Sequence, residues 1–277
     1  MPPNDQSMVE KTPSLDEINP ALDKVIPKPE AGLIEEDVRK GIQVVDRILS
    51  SSHDELTSRR FLLECFHNYG LPYMTSEFWN PVSKYMNQSG FGALQIPTEL
   101  IDCIRKVMTL DVKTAIEIGV YRGGLSYFMA AVLQRVNRHF SLTMVDPWDS
   151  LLGFDEFSRK LNLIKAIPST STDFATKLFD FVFIDGDHSY EGVTRDFENV
   201  GKYAGKALAF HDIHDHSPDS GTVQSWDEVK TKYYQTHEVY EFAHSVPRGL
   251  GIGLIVAPTD PFGKRGFLRR MRGALSW

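Results

Sequence analysis

The sequence predicts a doubly wound α/β fold, with seven strands in a mostly parallel sheet, the last strand antiparallel, and an N-terminal helical segment ahead of it. Three observations lead there. From residue 114 onward, short apolar runs alternate with stretches of helical period. Strands that are apolar on both faces belong to parallel sheets covered by helices on both sides. The last two strand-like runs, "HEVYEFA" and "GIGLIVA", are joined through "HSVPRGLG", too short for a crossover helix, so that pair must be antiparallel. Finally, "AIEIGVYRGGLS" reads as a strand, a glycine-rich turn and a helix start, the point where open α/β sheets bind ligands.

The elements follow in chain order. Residues 1–33 hold several prolines and little apolar periodicity, and read as a flexible tail or an arm that orders on a partner. Residues 34–96 read as N-terminal helices and a lid. "IEEDVRKGIQVVDRILS" sets Ile34, Val38, Ile42, Val45 and Ile48 on one helical face, and "LTSRRFLLECFHNYG" forms a second helix stopped by Gly70 and Pro72. "LPYMTSEFWNPVSKYMNQSGFGALQ" is rich in aromatics, Gly, Pro and Asn, and suits a loop or lid.

Residues 97–259 form the main domain. "PTELIDCIRKVMTL" opens it with Pro97 in the first helical turn. The strands "TAIEIGV", "FSLTMVD", "LNLIKAI", "FDFVFID" and "KALAFHD" follow, with helices "GLSYFMAAVLQRVN", "EGVTRDFENVGKYA" and "WDEVKTKYYQT" among them. Trp226 reads as the start of that last helix, a packing residue first and a substrate wall second. The basic segment 260–277, if helical, places Phe267, Leu268, Met271 and Leu275 on one face. It reads as a docked tail, with weak contact to an anionic membrane surface as the sharper alternative.

Composition excludes some functions. The chain has 277 residues, 42% of them hydrophobic, and a formal net charge of −7. That charge argues against a nucleic-acid footprint. No apolar run is long enough to cross a bilayer, and the polar N-terminus lacks the apolar core of a secretory signal, so a cytoplasmic protein is expected. Cys65 and Cys103 sit in apolar helical patterns without a second ligand at metal spacing, and read as buried thiols.

Two strand ends carry acids beside the glycine turn. Gly119, Gly123 and Gly124 permit tight turns and close backbone approach, and Glu117 lies inside the strand end. The spacing, E-x-G-x-x-x-G-G, differs from a pyrophosphate fingerprint. An acid there would repel an anion and attract an ammonium or sulfonium. Asp146 ends the next strand, where a carboxylate can accept both hydroxyls of a ribose. Together these features favour an adenosine-type cofactor.

On these residues the sequence resembles the class I S-adenosylmethionine-dependent methyltransferases. The resemblance implies that the Glu117–Gly119 region contacts the methionine portion and that Asp146 holds the ribose. Gly123 in the same turn and Asp185 at the fourth strand end join the cofactor set, and Ser171, in "PSTSTDF", would border the adenine. "FVFIDGDHSYEG" is similar to the sugar and small-molecule O-methyltransferases related to macrocin O-methyltransferases and cephalosporin hydroxylase-like proteins. In that branch the fifth strand ends in a pair of metal-binding residues.

Strand order makes a second cluster. Asp185 ends the fourth strand, and His211 and Asp212 end the fifth, its neighbour about 4.8 Å away. Asp185, His211 and Asp212 can converge on a divalent cation, Mg²⁺ in the first place and Mn²⁺ as the alternative that better tolerates an imidazole. His211 stands where related enzymes often carry an acid, and a substrate-binding role is its other reading. His188, three residues past Asp185, is the candidate base for the acceptor hydroxyl; a structural turn histidine is the alternative. His214, Asp215 and His216 belong to a substrate loop or to a solvated one.

The expected activity is therefore metal-assisted O-methylation of a hydroxylated small molecule, a sugar or glycan unit, by a homo-oligomer with S-adenosylmethionine as donor. A metal-dependent hydroxylase or hydrolase, or a non-catalytic binding subunit of the same fold, are the rivals.

Overall fold

The strand order of the sheet is β3-β2-β1-β4-β5-β7-β6. The computed structural model describes residues 31–69, 95–214, 220–243 and 250–258. β1 (Thr114–Ile118), β2 (Ser141–Val145), β3 (Leu163–Ala166), β4 (Phe181–Ile184) and β5 (Ala207–His211) pair with one another in parallel. β7 (Ile252–Val256) runs antiparallel between β5 and β6 (Glu238–Phe242). This is the doubly wound sheet read from the sequence, with the final pair antiparallel. The order reverses between β1 and β4, the crevice where such sheets place ligands.

Eight α-helices are described: α1 (Ala31–Ser50), α2 (His53–Thr57), α3 (Arg59–Asn68), α4 (Pro97–Met108), α5 (Gly124–Val136), α6 (Phe154–Ser158), α7 (Tyr190–Asn199) and α8 (Gly221–Tyr233). Alternation along the strands divides the core in two. Ala115, Phe181, Phe183 and Ala209 face a cluster built with Val45 and Ile48 of α1, Leu62 of α3, Leu100 of α4 and Phe128 of α5. Ile116, Val182, Leu208 and Phe210 face Val193 and Phe197 of α7 and Trp226 of α8. Each Val, Leu, Ile or Phe among them contributes about 1.5–3 kcal/mol when fully buried. The N-terminal helices share one core with the sheet.

Three elements differ from the sequence reading. The second helix is two helices, because Ser58 ends α2 and its side chain accepts from Phe61 N to begin α3. The last helix starts at Gly221, not at Trp226. A Cβ at Gly221 would stand 1.9 Å from Tyr190 N, so glycine lets the starts of α7 and α8 touch. Trp226 lies inside α8, 1% exposed, with Nε1 donating to Glu241 Oε1 at 2.7 Å: packing rather than a wall. α6, five residues in an aromatic loop, is too short to show a period. The tails 1–30 and 259–277, the lid 70–94 and residues 215–219 lie outside the described residues, as does the Ile34 side chain. No helix among the described residues is long and apolar enough to cross a membrane.

Candidate functional site

Register sets the site. Val145, Ile118, Ile184 and Phe210 form one row across β2, β1, β4 and β5. One residue further, Asp146, Gly119, Asp185 and His211 stand side by side at the carboxyl edge. Gly119 N donates to Val145 O and Asp185 N to Ile118 O, both at 2.9 Å, and these bonds extend the ladder into the turn. Gly119 has φ +85°, and a Cβ there would lie 2.1 Å from Asp185 O. Only glycine lets the two chain segments approach this closely.

The glycine turn is held by Asp146. Its Oδ2 accepts from Val120 N at 3.1 Å and Tyr121 N at 3.0 Å, and its Oδ1 from Trp148 N at 2.9 Å. Burial raises its pKa against those three donors. Both oxygens thus clamp backbone, with about one lone-pair site left open. Tyr121 (φ +47°) and Gly123 (φ +87°) complete a turn of alternating left-handed residues that begins α5. Ser171 is buried, and its hydroxyl donates to Asp196 Oδ1 at 2.6 Å. It anchors the loop after β3 onto α7, and burial raises the Asp196 pKa to about 6.

Glu117 is 1% exposed, and its Oε2 has no hydrogen-bond partner among the described residues. Burial, less a contribution from the Ser126 hydroxyl and with added repulsion from Asp185 and Asp146, pushes its pKa up to about 8. At neutral pH this acid is mostly uncharged. An orphaned, buried carboxyl oxygen two residues before Gly119 fits a cationic donor group.

The second cluster converges as the strand order requires. His211 Nδ1 lies 3.0 Å from Asp185 Oδ1 and 3.2 Å from Asp212 Oδ1. His188 Nε2 lies 3.2 Å from Asp212 Oδ2 and 3.9 Å from Asp185 Oδ1. Asp212 has φ +59°, a strained conformation for a non-glycine residue, as the chain leaves β5. His214 N then donates to Leu250 O at 2.9 Å, holding this turn against the approach to β7. Full burial of His211 and partial desolvation of the half-exposed His188 disfavour charge on the rings, yet the two carboxylates outweigh this and raise both pKa values to about 9. Burial likewise works against the Asp185 carboxylate, but the two imidazoles bring it down to about 2.

Ligand atoms of Asp185, His211 and Asp212 all lie within 4.8 Å of one another. Two carboxylates and an imidazole fit a cation such as Mn²⁺ or Mg²⁺. Two neighbours of this cluster were not singled out from sequence. Gln95 Nε2 donates to Asp185 Oδ2 at 2.6 Å. Glu99 of α4, fully buried, accepts from Gly251 N at 3.0 Å and adds negative potential at His211. The Asp187 side chain is 14% exposed, and its Oδ1 accepts from Ser189 N at 2.9 Å. It shapes the turn that Ser189 caps by accepting from Gly192 N.

Residues 116–213 match a protein family described as a methyltransferase domain. The centre of the chain is similar to a methyltransferase. The match spans about a third of the chain and takes in Glu117, the glycine turn, Asp146, Asp185, His188, His211 and Asp212. No curated protein matches. Among solved structures, the chain is similar to an O-methyltransferase of tomaymycin synthesis from Streptomyces achromogenes, in complex with S-adenosylmethionine. That match has 14% identity, covers 60% of this chain and 81% of that one, and has a TM-score of 0.43. An O-methyltransferase from Bacillus cereus, in complex with S-adenosylhomocysteine, aligns at 13% identity over 80% of this chain and 99% of its own, with a TM-score of 0.46. Neither likeness carries functional weight at such values.

Proposed function

We propose that this protein is an S-adenosylmethionine-dependent O-methyltransferase, assisted by a divalent cation, acting on a hydroxyl of a sugar, glycan or related small molecule. The observation that carries the reading is the single row at the sheet edge. It sets an orphaned acid and a glycine turn beside a cluster of two carboxylates and two imidazoles, all inside the segment that matches a methyltransferase domain. The sugar-hydroxyl acceptor rests on the resemblance of D-G-D-H-S-Y-E-G to that enzyme branch.

In this reading the Gly119 turn receives the methionine end of the cofactor against Glu117, and Asp146 fixes the turn while offering its remaining lone pair to the ribose. Gly123, whose left-handed φ and close Tyr127 ring leave no place for a Cβ, shapes the turn into α5, and the Ser171 turn borders the base. Asp185, Asp212 and His211 would hold the cation, which when bound supplies Lewis acidity that makes a hydroxyl easier to deprotonate. His188 is 46% exposed at its side chain and tethered to Asp212, so it can reach an acceptor and remove its proton. Methyl transfer is an in-line displacement, and the row serves it by holding donor and acceptor sides on one rigid edge.

Calorimetric titration with S-adenosylhomocysteine tests the cofactor half. Binding in the micromolar range is expected, and its absence at high micromolar ligand removes the reading. A screen of hydroxylated acceptors with labelled cofactor then identifies the hydroxyl.

A further inference from the structure

The Asp185 carboxylate has two oxygens with different fates. Oδ1 faces the imidazoles, 3.0 Å from His211 Nδ1. Oδ2 is taken by Gln95, whose Nε2 donates at 2.6 Å across 90 positions of sequence. Gln95 stands just before α4, where Ile96 is the cap residue and Pro97 the first helical position. It is 4% exposed, which is rare for an amide side chain without reason.

The geometry fixes the amide orientation. A carboxylate only accepts hydrogen bonds, so the NH₂ group must face Asp185 and the amide oxygen must face away. That oxygen, Oε1, is buried and has no partner among the described residues. An unpaired buried carbonyl costs about 1–3 kcal/mol. A hydrophobic residue of the same size would avoid that cost and lose only the Asp185 contact.

We propose that Gln95 is a positioning residue of the cation and acceptor site. Through Nε2 it locks Asp185 so that Oδ1 alone is turned toward His211 and Asp212. The inference rests on the function proposed above and adds a residue that lies outside the matched segment.

The test compares wild type with Gln95→Met, which keeps length and apolar bulk and removes both hydrogen-bonding groups, and with Gln95→Leu. Mn²⁺ binding is followed by electron paramagnetic resonance, S-adenosylhomocysteine binding by calorimetry, and folding by thermal melting. Loss of an outer partner of a ligand weakens metal binding by about 10–100-fold. That loss is expected in both variants, with affinity for S-adenosylhomocysteine retained. A purely structural role would lower the melting temperature and leave Mn²⁺ affinity alone, and that outcome overturns the assignment. If neither variant folds, the wild-type side-chain amide resonance of Gln95 decides: it shifts on Mg²⁺ titration, or the assignment fails. Wild type that binds S-adenosylhomocysteine but not Mn²⁺ overturns this inference and leaves the cofactor reading standing. Wild type that binds neither overturns both.

Discussion

His188 Nε2 stands 3.2 Å from Asp212 Oδ2, so one imidazole–carboxylate contact joins the turn after β4 to the end of β5. The contact aims the ring, and Asp185 together with Asp212 holds its proton, raising the pKa to about 9. A ring that is mostly protonated at neutral pH must lose that proton before it can act as a base. His188→Ala should therefore lower turnover by about 10²–10⁴-fold while cofactor affinity is little changed. Wild-type turnover should climb with pH up to about 9, and the variant's residual rate should not follow that climb. Labelled-cofactor assays across pH measure both. Equal turnover in the variant removes His188 as the base.

Asp185, Asp212, His188 and His211 balance their charges when both rings are protonated. A cation that takes His211 as ligand must displace its proton, which is held up to about pH 9. Mn²⁺ affinity should then rise with pH, by about tenfold per unit for each proton displaced. Titrations between neutral pH and about 9 read this slope. A flat profile would exclude His211 from the ligand set. Treatment with a chelator should abolish turnover; full activity afterwards would leave an imidazole–carboxylate proton relay as the working site.

The row at the sheet edge was readable because it is made by local rules. Apolar runs ending in Glu117–Gly119, Asp146, Asp185 and His211–Asp212 give strand ends, and parallel pairing does the rest. Gln95 and Glu99 were not readable. Glu99 reaches the cluster from α4 and Gln95 from just before that helix, 90 positions ahead of Asp185, and nothing in "ALQIPTEL" marks a polar side chain as inward-facing. The occupancy of Asp146 by three backbone donors was also hidden, because a turn's hydrogen bonds depend on its φ values. The turn that folds the Asp187 carboxylate back onto Ser189 was hidden for the same reason.

Glu117 gives a stability test that needs neither substrate nor metal. Burial raises its folded pKa from 4.5 to about 8. Folding therefore takes up a proton between those values. The associated stability is complete below about pH 4.5 and is lost as pH rises through about 8, on the order of 3 kcal/mol by neutral pH. The raised histidines slope in the same direction, but only from 6.5 to about 9, so the window between 4.5 and 6.5 belongs to the carboxylic acids. Glu117→Gln keeps the shape and never ionises. Its melting temperature should match wild type near pH 4.5 and exceed it increasingly as pH rises, with the gap already open by pH 6.5. S-adenosylhomocysteine carries an ammonium group that would pair with ionised Glu117, so it should stabilise wild type more than the variant at pH 8. Parallel pH profiles for the two proteins would mean that Glu117 ionises freely, and that the ammonium group of S-adenosylhomocysteine has another partner.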